Sequence, residues 1–110
     1  MTAYDPGLAA RLEALLSGRP GYQSKKMFGG IGWLLNGNMC VAVYKDWLIA
    51  RVGAEAEKKV RSNPHTKAFD FTGKPMKGWI MVAPKGIDKD RDLEKYLTLA
   101  EDFVKTLPRK

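Results

Sequence analysis

The residues able to do chemistry are few in this 110-residue chain. Its one cysteine is Cys40 and its one histidine is His65. That count excludes an intramolecular disulfide and a zinc site built from Cys and His. A thiol–imidazole pair remains conceivable, since nucleophilic catalysis needs a nucleophile, a base and an orienting group in contact. Cys40, however, falls in the apolar run Met39 to Tyr44, where a free cysteine behaves as a small buried hydrophobe. His65 falls in the loop-like Asn63-Pro64-His65-Thr66. Most of the carboxylates lie on the polar faces of helical patterns, where solvation is their ordinary role. No catalytic, cofactor-binding or metal-ligating residue is assigned, and the expected function is non-enzymatic.

The glycine-rich stretch Gly29-Gly30-Ile31-Gly32 invites comparison with phosphate-binding loops. Those loops bring backbone N–H groups to an anion at a helix N-terminus. Here the spacing is not G-x-G-x-x-G, the Walker lysine is absent, and the run continues into Trp33-Leu34-Leu35 rather than a helix. The reading from residues is a glycine bulge that bends a strand, or a close backbone approach.

Charge is more informative. The 19 Lys+Arg exceed the 12 Asp+Glu by seven. Residues 19–89 carry 13 of the cations against 5 acids, so the whole excess is central. Phe28, Trp33, Trp47, Phe69, Phe71 and Trp79 are interleaved with these cations. Lysines track phosphates and rings stack on bases in single-strand nucleic-acid platforms. The alternative is that the lysines solubilise loops while most of the rings fill the core. Candidate anion or nucleic-acid contacts are Lys25, Lys26, Arg51, Lys74 and Lys77. Arg51 is a lone charge in an apolar strand pattern, and a strand charge must reach solvent, pair, or face a site. Beside Lys25 or Lys74 in a groove, it would be the strongest anion contact, because a guanidinium is always charged.

The elements that position these residues follow from patterning. Asp5-Pro6 is a helix start, and Leu8, Leu12, Leu15 and Leu16 form one apolar stripe, giving a helix over about 6–17. Lys25 to Leu35 and Met39 to Tyr44 flank Asn36-Gly37-Asn38, a hairpin signal. Lys45-Asp46 leads to a third strand, Trp47 to Val52. Short turns make these three strands antiparallel neighbours. Ala54 to Ser62 reads as a short, mostly exposed helix, Lys67 to Phe71 as a fourth strand, and Trp79 to Ala83 as a fifth, central one. From Asp90, the stripe Leu93, Leu97, Ala100, Val104 and Leu107 predicts a long amphipathic helix that Pro108 ends. The expected fold is therefore α+β, in the order α-β-β-β-α-β-β-α. It is one two-layer domain over 1–110, with a five-stranded antiparallel sheet and the helices on one of its faces.

The segment Lys25-Lys26-Met27-Phe28-Gly29-Gly30-Ile31-Gly32 resembles the TfoX/Sxy N-terminal domain family. Asn36-Gly37-Asn38-Met39 and Leu48-Ile49-Ala50-Arg51-Val52 stand where that family has its hairpin and its basic-ended strand. Phe71-Thr72-Gly73-Lys74-Pro75-Met76-Lys77-Gly78-Trp79 looks like the version in short, stand-alone members. The likeness spans roughly residues 10–105. It implies a secretion-chaperone-like α+β fold of the α-β3-α-β2-α type, and no catalytic residues. The regulators that name the family add a C-terminal helix-hairpin-helix-like domain, for which 110 residues leave no room.

The functional expectation is a binding or regulatory module of this type, acting through a protein partner or self-association. The alternative is a nucleic-acid-binding accessory domain using the basic region 19–89. No cofactor and no membrane association are expected. The longest apolar run is six residues, far short of the ~20 needed to span a bilayer. Residues 2–18 lack a signal-peptide h-region, so a cytoplasmic location is expected.

Overall fold

Asp5 begins the first helix as its residue type requires. Its Oδ1 accepts the Gly7 backbone N–H at 2.9 Å, and Pro6 occupies the first turn of α1 (Pro6–Leu16). The leucine stripe then buries Leu8, Leu12 and Leu16. The computed structural model describes residues 4–27, 29–70 and 76–110. In it α1 is followed by β1 (Tyr22–Met27), β2 (Gly30–Leu35), β3 (Asn38–Tyr44), β4 (Trp47–Arg51), α2 (Gly53–Val60), β5 (Thr66–Ala68), β6 (Trp79–Val82), a 3-10 turn (Pro84–Gly86) and α3 (Asp90–Val104). None of the described helices is long and apolar enough to cross a membrane.

The α+β class and the antiparallel sheet agree with the sequence, but the sheet has six strands rather than five, in the order β1-β2-β3-β4-β6-β5. The additional strand is β1. What reads as one strand from Lys25 to Leu35 is a hairpin whose Met27 pairs with Gly30 across a turn at Gly29. Gly29 supplies the positive φ, +77°, that such a turn demands. Gly29 is therefore a turn residue, not a bulge, while the expected close backbone approach holds at Gly30, where an added Cβ would run into the Val43 carbonyl oxygen. The register irregularity lies one hairpin later, where Trp33 faces Val41 and Leu34 faces Met39, leaving Cys40 as the extra residue. Asn36 and Gly37, at φ +54° and +86°, close the β2–β3 hairpin as expected.

Strand alternation gives the sheet two unlike faces. On one, Trp33, Val41, Val43, Leu48, Ala50, Ile80 and Val82 are buried together with the apolar stripes of α1 and α3. Carboxylates fasten this layer from the helix side. Glu13 of α1 accepts the Trp33 indole N–H at 2.9 Å. Glu57 of α2 accepts the Gly78 backbone N–H at 2.7 Å. Glu101 of α3 accepts the Tyr22 hydroxyl at 2.8 Å. Among the described residues, the other face carries no helix.

Candidate functional site

One register row crosses all six strands on the helix-free face: Lys25, Gly32, Ala42, Ile49, Met81 and Lys67. Its ends are exposed lysines on opposite edges of the sheet, and its middle is small or apolar. Ala42 lies there beside Gly32, and its short side chain leaves space above the sheet unfilled. The result is a trough of about 300 Å³, lined by apolar residues that include Met39, Ala42, Tyr44, Ile49, Met76 and Trp79. Met39 leans over Gly32, and a Cβ added at that glycine would lie 2.8 Å from the Met39 Sδ and Cε. Met76 is an exposed large apolar residue beside the trough.

Every charged residue that strand register places on this face is a cation: Lys25, Arg51 and Lys67. The Lys67 ammonium sits 4.7 Å above the Trp47 ring. The Arg51 guanidinium is 5.3 Å from the Trp79 ring and 5.9 Å from Phe103 of α3. Lys45, in the β3–β4 turn, lies 5.6 Å from the Tyr44 ring. Cation–π contact holds these charges at the surface at little desolvation cost. None of the four joins an ion pair among the described residues, whose salt bridges lie elsewhere, at Arg11–Asp90, Arg19–Glu101, Arg61–Glu57 and Lys105–Asp102. Asp46 and Asp70 are exposed just beyond strand ends.

The candidate contacts named from sequence do not converge. Lys25 and Lys26 are adjacent on β1 and so point to opposite faces. Arg51 is half-buried on β4, three strands from Lys25, on the order of 14 Å away at the usual strand spacing. Lys77 is exposed in the turn before β6, and Lys74 lies outside the described residues. The rings also depart from expectation. Trp33 is core, but Trp47, Phe69 and Trp79 are half-buried outside the helix-side core, and Phe28 and Phe71 lie outside the described residues. The trough itself went unseen in the sequence, although the paired small residues on adjacent strands are its signature.

Cys40 and His65 are not brought together. The bulge turns Cys40 inward, fully buried, with its Sγ 3.9 Å from the Tyr22 hydroxyl. Burial pushes the thiol up to about 12, against the opposing hydrogen bond between it and Tyr22. Burial, aided by Cys40 and Glu101, likewise raises the Tyr22 hydroxyl. Neither group ionises near neutrality, so this cluster is a structural knot without a nucleophile. His65 lies beside Gly86, its backbone N–H donating to Asn63 Oδ1 at 2.8 Å. Among the described residues, no group of three or more His, Cys, Asp or Glu side chains is placed to hold a metal ion.

Comparison with known proteins gives one match. No curated protein and no solved structure is similar enough to register. The family model of the TfoX N-terminal domain, by contrast, matches residues 14–104, from the second half of α1 to the last residue of α3. The chain belongs to the TfoX N-terminal domain family.

Proposed function

We propose that this domain is a non-enzymatic binding module that engages a protein partner through the helix-free face of its sheet. The observation that carries the reading is the apolar trough of about 300 Å³ on that face, ringed by cations that join no ion pair among the described residues. A sheet face with apolar residues and no covering layer is the part of a two-layer fold available for association. The titratable groups with raised pKa values, Tyr22, Cys40 and Tyr96, belong to the helix side and give the trough no acid, base or nucleophile.

Self-association through this face is disfavoured by its charge, because a second copy would bring lysine rims together. The nucleic-acid reading draws on the central basic excess. Against it, the cations sit on both sheet edges and on α2, and Lys67, Lys45 and Arg51 already cover ring faces that bases would need.

Photo-crosslinking tests the proposal. A crosslinking residue at Met76, beside the trough, is expected to capture a discrete partner in cells, whereas one at Glu94, on the exposed side of α3, is not. Equal capture from both positions, or capture from Glu94 alone, would place the contact surface elsewhere.

A further inference from the structure

We infer that the partner segment is an amphipathic helix, apolar along one stripe and acidic on its flanks and ends, lying across the strands along the Lys25–Lys67 row. The inference rests on the binding reading above and names the partner's chemistry.

Three observations point to this occupant. First, the trough is lined by methionine, aromatic and aliphatic side chains, with Met39 and Met76 among them. Thioethers adapt to an inserted apolar side chain better than branched residues do. Among the described residues, the lining offers no converging polar groups of the kind that orient a small polar ligand. It suits the i, i+3, i+4, i+7 anchors of a docked helix.

Second, the charge is arranged around the trough rather than in it. Lys25 and Lys67 close the two ends of the row, and Lys45 and Arg51 flank it at the strand ends. The carboxylates that hold the sheet, Glu13, Glu57 and Glu101, are all spent on the helix side. A partner bearing carboxylates beside its apolar stripe would complement a face whose strand-borne charges are all cations.

Third, the lengths agree. The row crosses five strand spacings, about 24 Å at 4.7–4.9 Å each. A helix of about 16 residues covers that span at 1.5 Å per residue. An extended segment would gain its backbone hydrogen bonds only at a sheet edge, where β1 carries two exposed lysines and β5 has three residues.

The test uses the full chain and two fluorescein-labelled 16-residue designed peptides with the same leucine stripe. One carries glutamate and the other lysine at every polar position. Fluorescence anisotropy should show the Leu/Glu peptide binding at least roughly tenfold tighter than the Leu/Lys peptide at low salt, narrowing as salt screens the rim. Ala42→Trp, which fills the trough floor from the solvent side, should weaken the Leu/Glu peptide by roughly tenfold or more, as blocking an interface anchor does. Its melting temperature should stay close to that of the unaltered chain. The double substitution Lys25→Glu with Lys67→Glu should abolish or reverse the preference between the peptides.

Equal affinity for the two peptides, no binding of either, or binding indifferent to Ala42→Trp would each overturn the inference. So would displacement of the Leu/Glu peptide by single-stranded DNA in a manner lost with Lys26→Glu, which would favour nucleic acid. A concentration-dependent dimer dissolved by Ala42→Trp would make a second copy the occupant. If the peptides fail while Met76 still crosslinks a partner, the module reading survives without the acidic helix.

Discussion

The two faces of the sheet are made from the same strands, yet they solve opposite problems. The helix-bearing face is filled by large residues, Trp33, Leu48, Ile80 and Val82, each at most 2% exposed. Three helix carboxylates fasten it to Trp33, Gly78 and Tyr22. The helix-free face places Gly32 and Ala42 side by side at its centre and cations around them. Ile49 is almost as well buried, at 5% exposed, yet stands outside the helix-side core. Alternation alone therefore produces one surface that is finished and one that is left open.

The comparison can be broken most directly with two consecutive residues of β6. Ile80→Ala, on the helix side, should cost about 2–5 kcal/mol, because it is fully buried in the core between the sheet and the helices and leaves a cavity there. Met81→Ala, on the open side, should cost about 1 kcal/mol or less. Urea denaturation measures both, and equal losses would mean that the open face is as tightly packed as the closed one.

A smaller contrast concerns the carboxylate fasteners. Glu101→Ala leaves the half-buried Tyr22 hydroxyl and Arg19 without their acceptor and should cost about 1–3 kcal/mol. Lys67→Ala removes only a surface cation–π contact and should stay within about 0.5 kcal/mol. A comparable cost for the lysine would show that the rim cations carry fold stability.

The buried knot makes a pH prediction with a definite sign. The Cys40 thiol holds its proton up to about 12 when folded, above its ordinary 9.0, so the folded chain binds more protons than the unfolded one between those values. That contribution is complete below pH 9 and is lost as pH rises through 12. The raised Tyr22 hydroxyl acts in the same direction. Stability should decline across this alkaline window, and Cys40→Ala should flatten the early part of the decline. Thiol labelling at pH 8 should be negligible until the protein is unfolded.

The two glycines of β2 separate the smallest effect from a larger one. Gly32→Ala meets only the far end of Met39, which can swing aside. Its melting temperature should barely change, since the lost glycine flexibility offsets about 0.4–1 kcal/mol of any crowding. Gly30→Ala would drive a Cβ into the Val43 carbonyl oxygen, which cannot move without the strand, and should lower it clearly.

Where the chain announces its structure, it does so through strong local physics. The Asp5 cap, the Asn36-Gly37 turn and the α3 stripe were all legible because each depends on neighbouring residues alone. Strand β1 was missed because its residues 23–26 are all exposed, so no hydrophobic alternation marks it. The bulge at Cys40 was hidden inside an uninterrupted apolar run, where two consecutive inward residues look like any others. The trough was illegible for a further reason. Gly32, Ala42 and Ile49 are small or ordinary residues far apart in sequence, and only the register sets them in one row. Of the five candidate contacts, Lys25 and Arg51 do lie on the open face, but the sequence could not say that they stand apart.

Strand β1 has a bearing on how this sheet can grow. Its two lysines project on opposite sides of one edge, so a strand approaching in the plane meets a charge whichever way it is turned. The far edge offers three residues, too few to template a new strand. Lateral polymerisation is thus discouraged at both margins, and stacking from above is the remaining direction of assembly. A sheet barred from extending sideways while open on top behaves as a tile, not as a link in a fibre.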